Sequence, residues 1–384
     1  MIEMEIKEGL RQRQPLLEQA RRVVVKVGSG VLTDDDGINQ EVASNLAGGL
    51  AFLQDSGREV ILVSSGAVAA GRKKLAAGKF KIHGIREKQA LAAIGQSCLM
   101  ECYDHAFSRY QKQIAQVLLT HDDLSNRDRY LNIRNTLLTL LRFEVIPIIN
   151  ENDTVSVEEL RFGDNDNLAA LITNLIEADM LICLTDVDGL YDGNPELLAD
   201  AGPIYTVAEV TPEIKALAGT SKSLVGTGGM ISKLQAAEKV AQRGGSSFIG
   251  PGRDRNILQK LFSGELIGTF FLPGRQTMQS RKHWIRHALK SRGRIFIDDG
   301  ARDALIKGGK SLLPSGITGV EGDFGIGEPV DVVDLAGVRL AAGLVNYNST
   351  DISKISGLHT GKIEAILGFK DSDEVIHRDN MVLI

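Results

Sequence analysis

The sequence predicts an α/β protein: an open, mainly parallel sheet sandwiched by helices, followed by a small C-terminal β-rich domain. Short β-branched runs alternate with amphipathic segments through the first two-thirds of the chain, the pattern of a parallel sheet covered on both faces. After about Pro273 that alternation gives way to strand-sized runs separated by glycine-rich turns. A length of 384 residues with 43% hydrophobic content suits two domains, each with its own core.

Taken in order, Arg22–Val27, Glu59–Val63, Ile114–Leu118, Val145–Ile149, Met180–Thr185 and Ser246–Ile249 read as buried parallel strands, because apolar residues fill them without alternation. Gln40–Gln54, Lys88–Phe107, Arg129–Leu141, Asp166–Glu177 and Gly229–Arg243 carry helical spacing between them. Arg281–Arg294 holds six basic residues and no acidic one, and reads as a helical connector. Ile295–Ile297, Val330–Val333, Gly343–Val345 and Ala365–Leu367 then read as the short strands of the tail.

Net charge of −5 and a pI near 5.9 give no general attraction to nucleic acid or to an anionic membrane. Cys98, Cys102 and Cys183 read as free thiols of a reducing compartment, since no Cys or His cluster completes a zinc site. Met1 to Arg22 has no apolar core of signal-peptide length, and the apolar runs are too short to span a bilayer, so a soluble cytoplasmic protein is expected.

Chemistry concentrates in loops that follow strands, where ligands sit in open α/β sheets. Asn150-Glu151-Asn152-Asp153 closes one apolar run, and Phe162-Gly163-Asp164-Asn165-Asp166-Asn167 opens a helical pattern. Carboxylates there can hold Mg²⁺ or orient basic groups, and the amides can grip a zwitterionic small molecule. Lys26 sits inside a β-branched strand that runs into Gly28-Ser29-Gly30; burying it is costly unless its ammonium reaches an anion. Val63-Ser64-Ser65-Gly66-Ala67 exposes N–H groups and hydroxyls at a helix start, where one Ser reads as a plain N-cap. Thr185-Asp186 ends a buried strand in position to touch a nucleotide, whereas Asp188-Gly189 makes the turn. Gly226-Thr227-Gly228-Gly229-Met230-Ile231-Ser232-Lys233 is a glycine-rich helix entry with a lysine one turn in, able to cradle phosphates. It is not a P-loop; the nearest decoy, Gly309-Lys310-Ser311, has Ala304 where that pattern needs its first glycine. The histidines are scattered and read as surface or capping residues.

These loops, in this order, resemble the amino-acid kinase superfamily, and within it the glutamate 5-kinase family: Val-Lys-Val-Gly-Ser, Val-Ser-Ser-Gly-Ala, Asn-Glu-Asn-Asp, Phe-Gly-Asp-Asn-Asp, Leu-Thr-Asp and Gly-Thr-Gly-Gly-Met. The tail from Gly293 through Gly368 resembles a PUA domain. The resemblance implies a 1–20 N-terminal extension, a 21–275 amino-acid kinase domain, a 276–293 connector, a 294–372 PUA domain and a 373–384 tail. It implies ATP- and Mg²⁺-dependent phosphorylation of the γ-carboxylate of L-glutamate, with Lys26, Thr185, Asp186 and Thr227 to Lys233 lining the ATP site. Ser65, Asp153 and Asn165 would hold glutamate; Asp166 would organise Lys26 and Lys233 as the catalytic lysines. Feedback inhibition by proline, delivery of the product to γ-glutamyl phosphate reductase and a dimeric or tetrameric assembly are implied the same way.

Three rival readings are open at this stage. A different amino-acid kinase would act on N-acetylglutamate, aspartate or a nucleoside monophosphate, but a nucleotide acceptor calls for arginines that the acceptor loops lack. An RNA-binding role for the tail is disfavoured, because Ile295 to the end holds 14 acidic and 8 basic residues. A regulatory protein without catalysis does not fit the retained lysines and Asp166.

Overall fold

In this computed structural model the residues described are 6–34, 37–75, 84–155, 165–193, 198, 200–218, 229–274 and 291–384. The chain divides into two compact units, Met1–Thr277 and Met278–Ile384.

The first unit is built on β1 (Arg22–Val27), a β2 (Thr33–Asp34) and β3 (Gly37–Ile38) hairpin, β4 (Glu59–Ser64), β5 (Ile114–Leu119), β6 (Ile146–Glu151) and β7 (Met180–Thr185). They are followed by β8 (Leu190–Tyr191), β9 (Pro203–Ile204), β10 (Thr206–Val207), β11 (Ser246–Pro251) and β12 (Thr269–Phe271). Eight of these form one sheet in the order β10-β12-β11-β7-β1-β4-β6-β5. From β5 to β11 all pairs are parallel, and only β12 runs antiparallel to its β11 neighbour.

β1 lies in the middle because its β-branched residues are buried on both faces, next to β4 on one side and β7 on the other. Its alternation decides where side chains go. Val23, Val25 and Val27 join the core beneath the Gln40–Asp55 and Ile85–Ser108 helices, with Leu46, Leu50, Leu99 and Tyr103. Lys26 falls on the opposite phase, toward the Asn165–Leu175 helix. The order of strands reverses around β1, so the carboxyl ends of β1, β4, β6 and β7 frame a single crevice.

The helices expected at 40–54, 88–107, 129–141, 166–177 and 229–243 are present as Gln40–Asp55, Ile85–Ser108, Arg127–Arg142, Asn165–Leu175 and Met230–Ala241. Residues 1–20 had no role from sequence. The structure gives their described part a helix, Ile6–Gln19, with Leu17 1% exposed. Arg13 on it is fully buried and donates to the carbonyls of Gly264 (3.2 Å) and Glu265 at the end of the Ile257–Phe262 helix. Burial pushes the Arg13 pKa down. Arg58 in turn donates to Leu17 O and Ala20 O, capping the helix, while its guanidinium lies 4.5 Å over the Phe262 ring.

The second unit carries β13 (Gly293–Ile297), β14 (Ile317–Gly322), β15 (Pro329–Val333), β16 (Arg339–Leu344) and β17 (Met381–Leu383), in the order β14-β13-β15-β16-β17. Ile295, Ile297, Val330, Val332, Tyr347 and Ile355 fill its core. Ile114–Leu118, read as a buried strand, is the half-exposed edge of the first unit's sheet, and Ala365–Leu367 is not a strand but lies in a helix, Ile363–Leu367. Ile363 packs inward and Gly368 ends the helix at φ +81. Residues 373–384, read as a tail, supply the sheet's last strand. The 276–293 connector lies outside the described residues up to 290.

Truncating Arg13 leaves a cavity and takes a donor from Gly264 O and Glu265 O, the latter keeping the Ile267 N–H, so Arg13→Ala is expected to cost about 3 kcal/mol. Urea unfolding checks this; an unchanged midpoint would mean that the N-terminal helix is dispensable for the first unit.

Candidate active site

The crevice holds two connected clusters, one charged and one of amides and hydroxyls. The first is centred on Asp166, in the first turn of the Asn165–Leu175 helix, where the exposed N–H ends favour a carboxylate. Lys26 Nζ lies 2.5 Å from its Oδ1 and Lys233 Nζ lies 3.2 Å from its Oδ2. The Ser232 hydroxyl also donates to Oδ2 at 2.7 Å, with the Gly229 carbonyl 2.8 Å away. The three charged side chains are 6%, 0% and 6% exposed. Burial alone would raise the Asp166 pKa; the two ammonium groups and the bonds from Lys26 and Ser232 outweigh it and hold the pKa below the ordinary carboxylate value.

Asn165 begins the second cluster. Its Nδ2 faces Ser64 O at 2.9 Å, Ser65 Oγ at 2.9 Å and Asn150 Oδ1 at 3.1 Å. Gly66, at φ +106, lets the chain turn from β4 into the Ala67–Lys74 helix, leaving Ser65 at the crevice rim. Ser64 is the buried one of the pair: its hydroxyl shares a 2.8 Å bond with Tyr103, whose own pKa is driven up by burial. Asp153 sits half-buried in the turn after β6, three residues beyond Asn150.

On the other side of β1, Thr185 donates to Asp186 Oδ1 at 2.9 Å, and its carbonyl accepts from Gly252 N after β11. Thr185 is buried and Asp186 exposed. Arg253 reaches across to Gly30 O at 2.9 Å and so ties the β11 loop to the glycine loop after β1. Gly229, Met230 and Ile231 head the Met230–Ala241 helix, with Ile231 46% exposed and outside the buried cluster. Thr227, Gly228 and the Phe162-Gly163-Asp164 stretch lie outside the described residues.

The structure therefore joins Lys26, Asp166, Ser232 and Lys233 in one group and Ser65 with Asn165 in another, and the adjacency of Asn165 and Asp166 couples the two. Four contributors lie outside the site residues named from sequence: Ser64, Gln96, Tyr103 and Asn150, the last foreseen only as an amide of the Asn150–Asp153 loop. Asn150 was visible as a carboxamide ending a β-branched run. Gln96 was visible as a long amide on the stripe formed by Ala92, Leu99 and Tyr103. Nothing in the sequence marks the Tyr103 hydroxyl as bonded.

Comparison with known proteins defines the class. The amino acid kinase family profile matches residues 21–250, and the PUA domain profile matches residues 293–367. The chain belongs to the amino acid kinase family. Curated relatives that it matches include glutamate 5-kinases. That of Desulfotalea psychrophila is 58% identical over 372 residues, covering 97% of this chain and 99% of the relative. That of Geobacter sulfurreducens is 51% identical over 373 residues, covering 97% and 100%. A solved UMP kinase from Bacillus anthracis aligns at a TM-score of 0.46 and 13% identity, over 66% of this chain and 96% of that one, a likeness too loose to bear on function.

Because its folded pKa is depressed, Asp166 contributes stability that is fully present above its unfolded pKa of about 3.9 and is lost as pH falls through the lower folded value. Asp166→Asn leaves two buried ammonium groups without their counter-charge and is expected to cost on the order of 3 kcal/mol at pH 7. The gap between variant and wild type should shrink below about pH 4. Urea midpoints across that range provide the check, and a gap independent of pH would show that the carboxylate charge is not what holds the lysines.

Proposed function

We propose that this chain transfers the γ-phosphoryl group of ATP to the γ-carboxylate of L-glutamate, giving γ-glutamyl phosphate and ADP. The observation that carries the reading is the convergence of Lys26 and Lys233, from opposite ends of the first unit, on the two oxygens of the buried Asp166. Glutamate 5-kinase relatives at 50–58% identity over nearly the full chain supply the acceptor.

A carboxylate acceptor has a pKa near about 4.3 and is ionised at neutral pH, so the reaction needs no general base. Its difficulty is the approach of one anion to another. Catalysis then consists of positioning and charge neutralisation. Lys26 and Lys233 place positive charge where the transferred phosphoryl group builds negative charge, in a low-dielectric pocket that strengthens the effect. Asp166 fixes both ammonium groups without entering the reaction, and Ser232 fixes Asp166. The committed oxygens of Asp166 leave it as an anchor for lysines. Mg²⁺ fits as an ion carried on the nucleotide's phosphates, where it supplies further neutralisation. Thr185, Asp186 and the Thr227–Lys233 stretch form the nucleotide wall of this reading; Ser65, Asp153 and Asn165 hold glutamate, with Asp153 facing the α-ammonium group.

The same reading carries the rest of the biochemistry. Proline, a cyclised analogue of glutamate, inhibits by competing for the acceptor side, and γ-glutamyl phosphate reductase consumes the labile product. The protein works in the cytoplasm as a dimer or tetramer. None of the described helices is long and apolar enough to cross a membrane.

Hydroxylamine trapping tests the chemistry: ATP, Mg²⁺ and L-glutamate should yield γ-glutamyl hydroxamate, with N-acetylglutamate and aspartate inactive as parallel acceptors. Product from another acceptor alone would keep the kinase and overturn the substrate. Lys26→Ala and Lys233→Ala should each lower kcat by about 10²- to 10³-fold with a smaller change in KM, the size seen when one transition-state donor is lost. Asn165→Ala should chiefly raise the KM for glutamate. A Lys233→Ala enzyme of normal kcat would refute the assignment.

A further inference from the structure

We propose that Gln96 is a positioning residue of the acceptor site, acting on the acceptor through the carboxamides of Asn150 and Asn165. The inference rests on the glutamate reading above. Gln96 lies on the Ile85–Ser108 helix, whose buried stripe of Ala92, Gly95, Leu99 and Tyr103 packs beneath β4 and β6. Gly95 sets that helix hard against the Ala67–Lys74 helix: a Cβ there would stand 1.8 Å from Ala67 O. The two helices therefore lie backbone against backbone, and Gln96, the next residue, reaches Asn150 at the end of β6.

Two backbone groups then orient three amides in series. The Ser64 carbonyl can only accept, so it turns the Nδ2 of Asn165 toward β4 and leaves Oδ1 directed the other way. The Glu151 N–H can only donate, so it draws Asn150 Oδ1 to itself at 2.9 Å, where that oxygen also receives Asn165 Nδ2. Asn150 Nδ2 must then point away, and Gln96 Oε1 accepts it at 2.9 Å. Gln96 closes the series and holds the Asn150 plane that Asn165 leans on. The arrangement burdens Gln96 itself, whose Nε2 is buried and meets no acceptor among the described residues. A side chain kept for packing alone would be apolar at this place on the stripe.

The test is steady-state kinetics and thermal unfolding of the full-length chain as wild type, Gln96→Leu, Asn150→Ala and the double variant. Gln96→Leu should raise the KM for glutamate about tenfold, the equivalent of one amide bond. The KM for ATP should stay within about twofold, and the Tm within about 3 °C, because one unmade amide bond replaces another. In the Asn150→Ala background, Gln96→Leu should have no further effect on the glutamate KM, the signature of a residue that works through Asn150. An unchanged glutamate KM overturns the proposal, as does a parallel rise in both KM values with a fall in Tm, which marks a merely structural role. Additive effects in the double variant also overturn it, because Gln96 would then touch the acceptor directly. No glutamate turnover by the wild type would overturn the acceptor reading itself, and this inference with it.

Discussion

One buried carboxylate between two ammonium groups sets the terms for the rest of the first unit. Lys26, Asp166 and Lys233 are far apart in sequence, and each comes from a different element: a central strand, the first turn of one helix and the first turn of another. Bringing three charges to side-chain exposures of 6%, 0% and 6% is unfavourable unless their distances are short and their geometry is held. The sheet does the holding. β1 is flanked by β4 and β7 in fixed parallel register, so Lys26 cannot slide without carrying Val24 and Val25 out of the core. The Asn165–Leu175 helix, buried almost throughout, cannot shift Asp166 without disturbing the same sheet.

The second cluster is built from different material. Asn165, Asn150 and Gln96 are neutral, and their orientation follows from backbone donors and acceptors at the ends of β4 and β6. On the proposed reading this division has a physical reason. A zwitterionic amino acid brings its own charges, and oriented dipoles, with the half-buried Asp153 for the ammonium group, can match them. A polyphosphate needs net positive charge, which Lys26 and Lys233 supply.

Most of the parallel sheet was legible because β-branched runs of strand length have few other uses in a chain of this composition; Arg22–Val27 and Met180–Thr185 stand where the apolar runs lie. Lys26 was legible for the opposite reason, as a charge in a place that expels charges. The tail was harder. Ala365–Leu367 looks like a strand in three letters, and only the partners of Ile363 reveal a helix. The Ile6–Gln19 helix, whose charges are scattered among leucines and glutamines in sequence, is anchored by Arg13, and a buried arginine that reaches two distant carbonyls leaves no local pattern. Ser64 and Tyr103 were hidden likewise, since their bond spans two elements that nothing in the sequence aligns.

The absence of a base from the proposed chemistry explains why the site could be built this way. A hydroxyl or amine acceptor must lose a proton, and its catalyst must carry a group titrating near neutrality, in an environment tuned to keep it there. A carboxylate acceptor removes that demand. The groups that remain can be chosen for staying in one charge state, and Asp166, its pKa held below the ordinary range by two lysines, is such a group. Rate then depends on how closely the charged cluster and the amide series keep donor and acceptor in line. Adjacent residues, Asn165 and Asp166, serve the two clusters from one helix turn, so any motion of that turn moves both together.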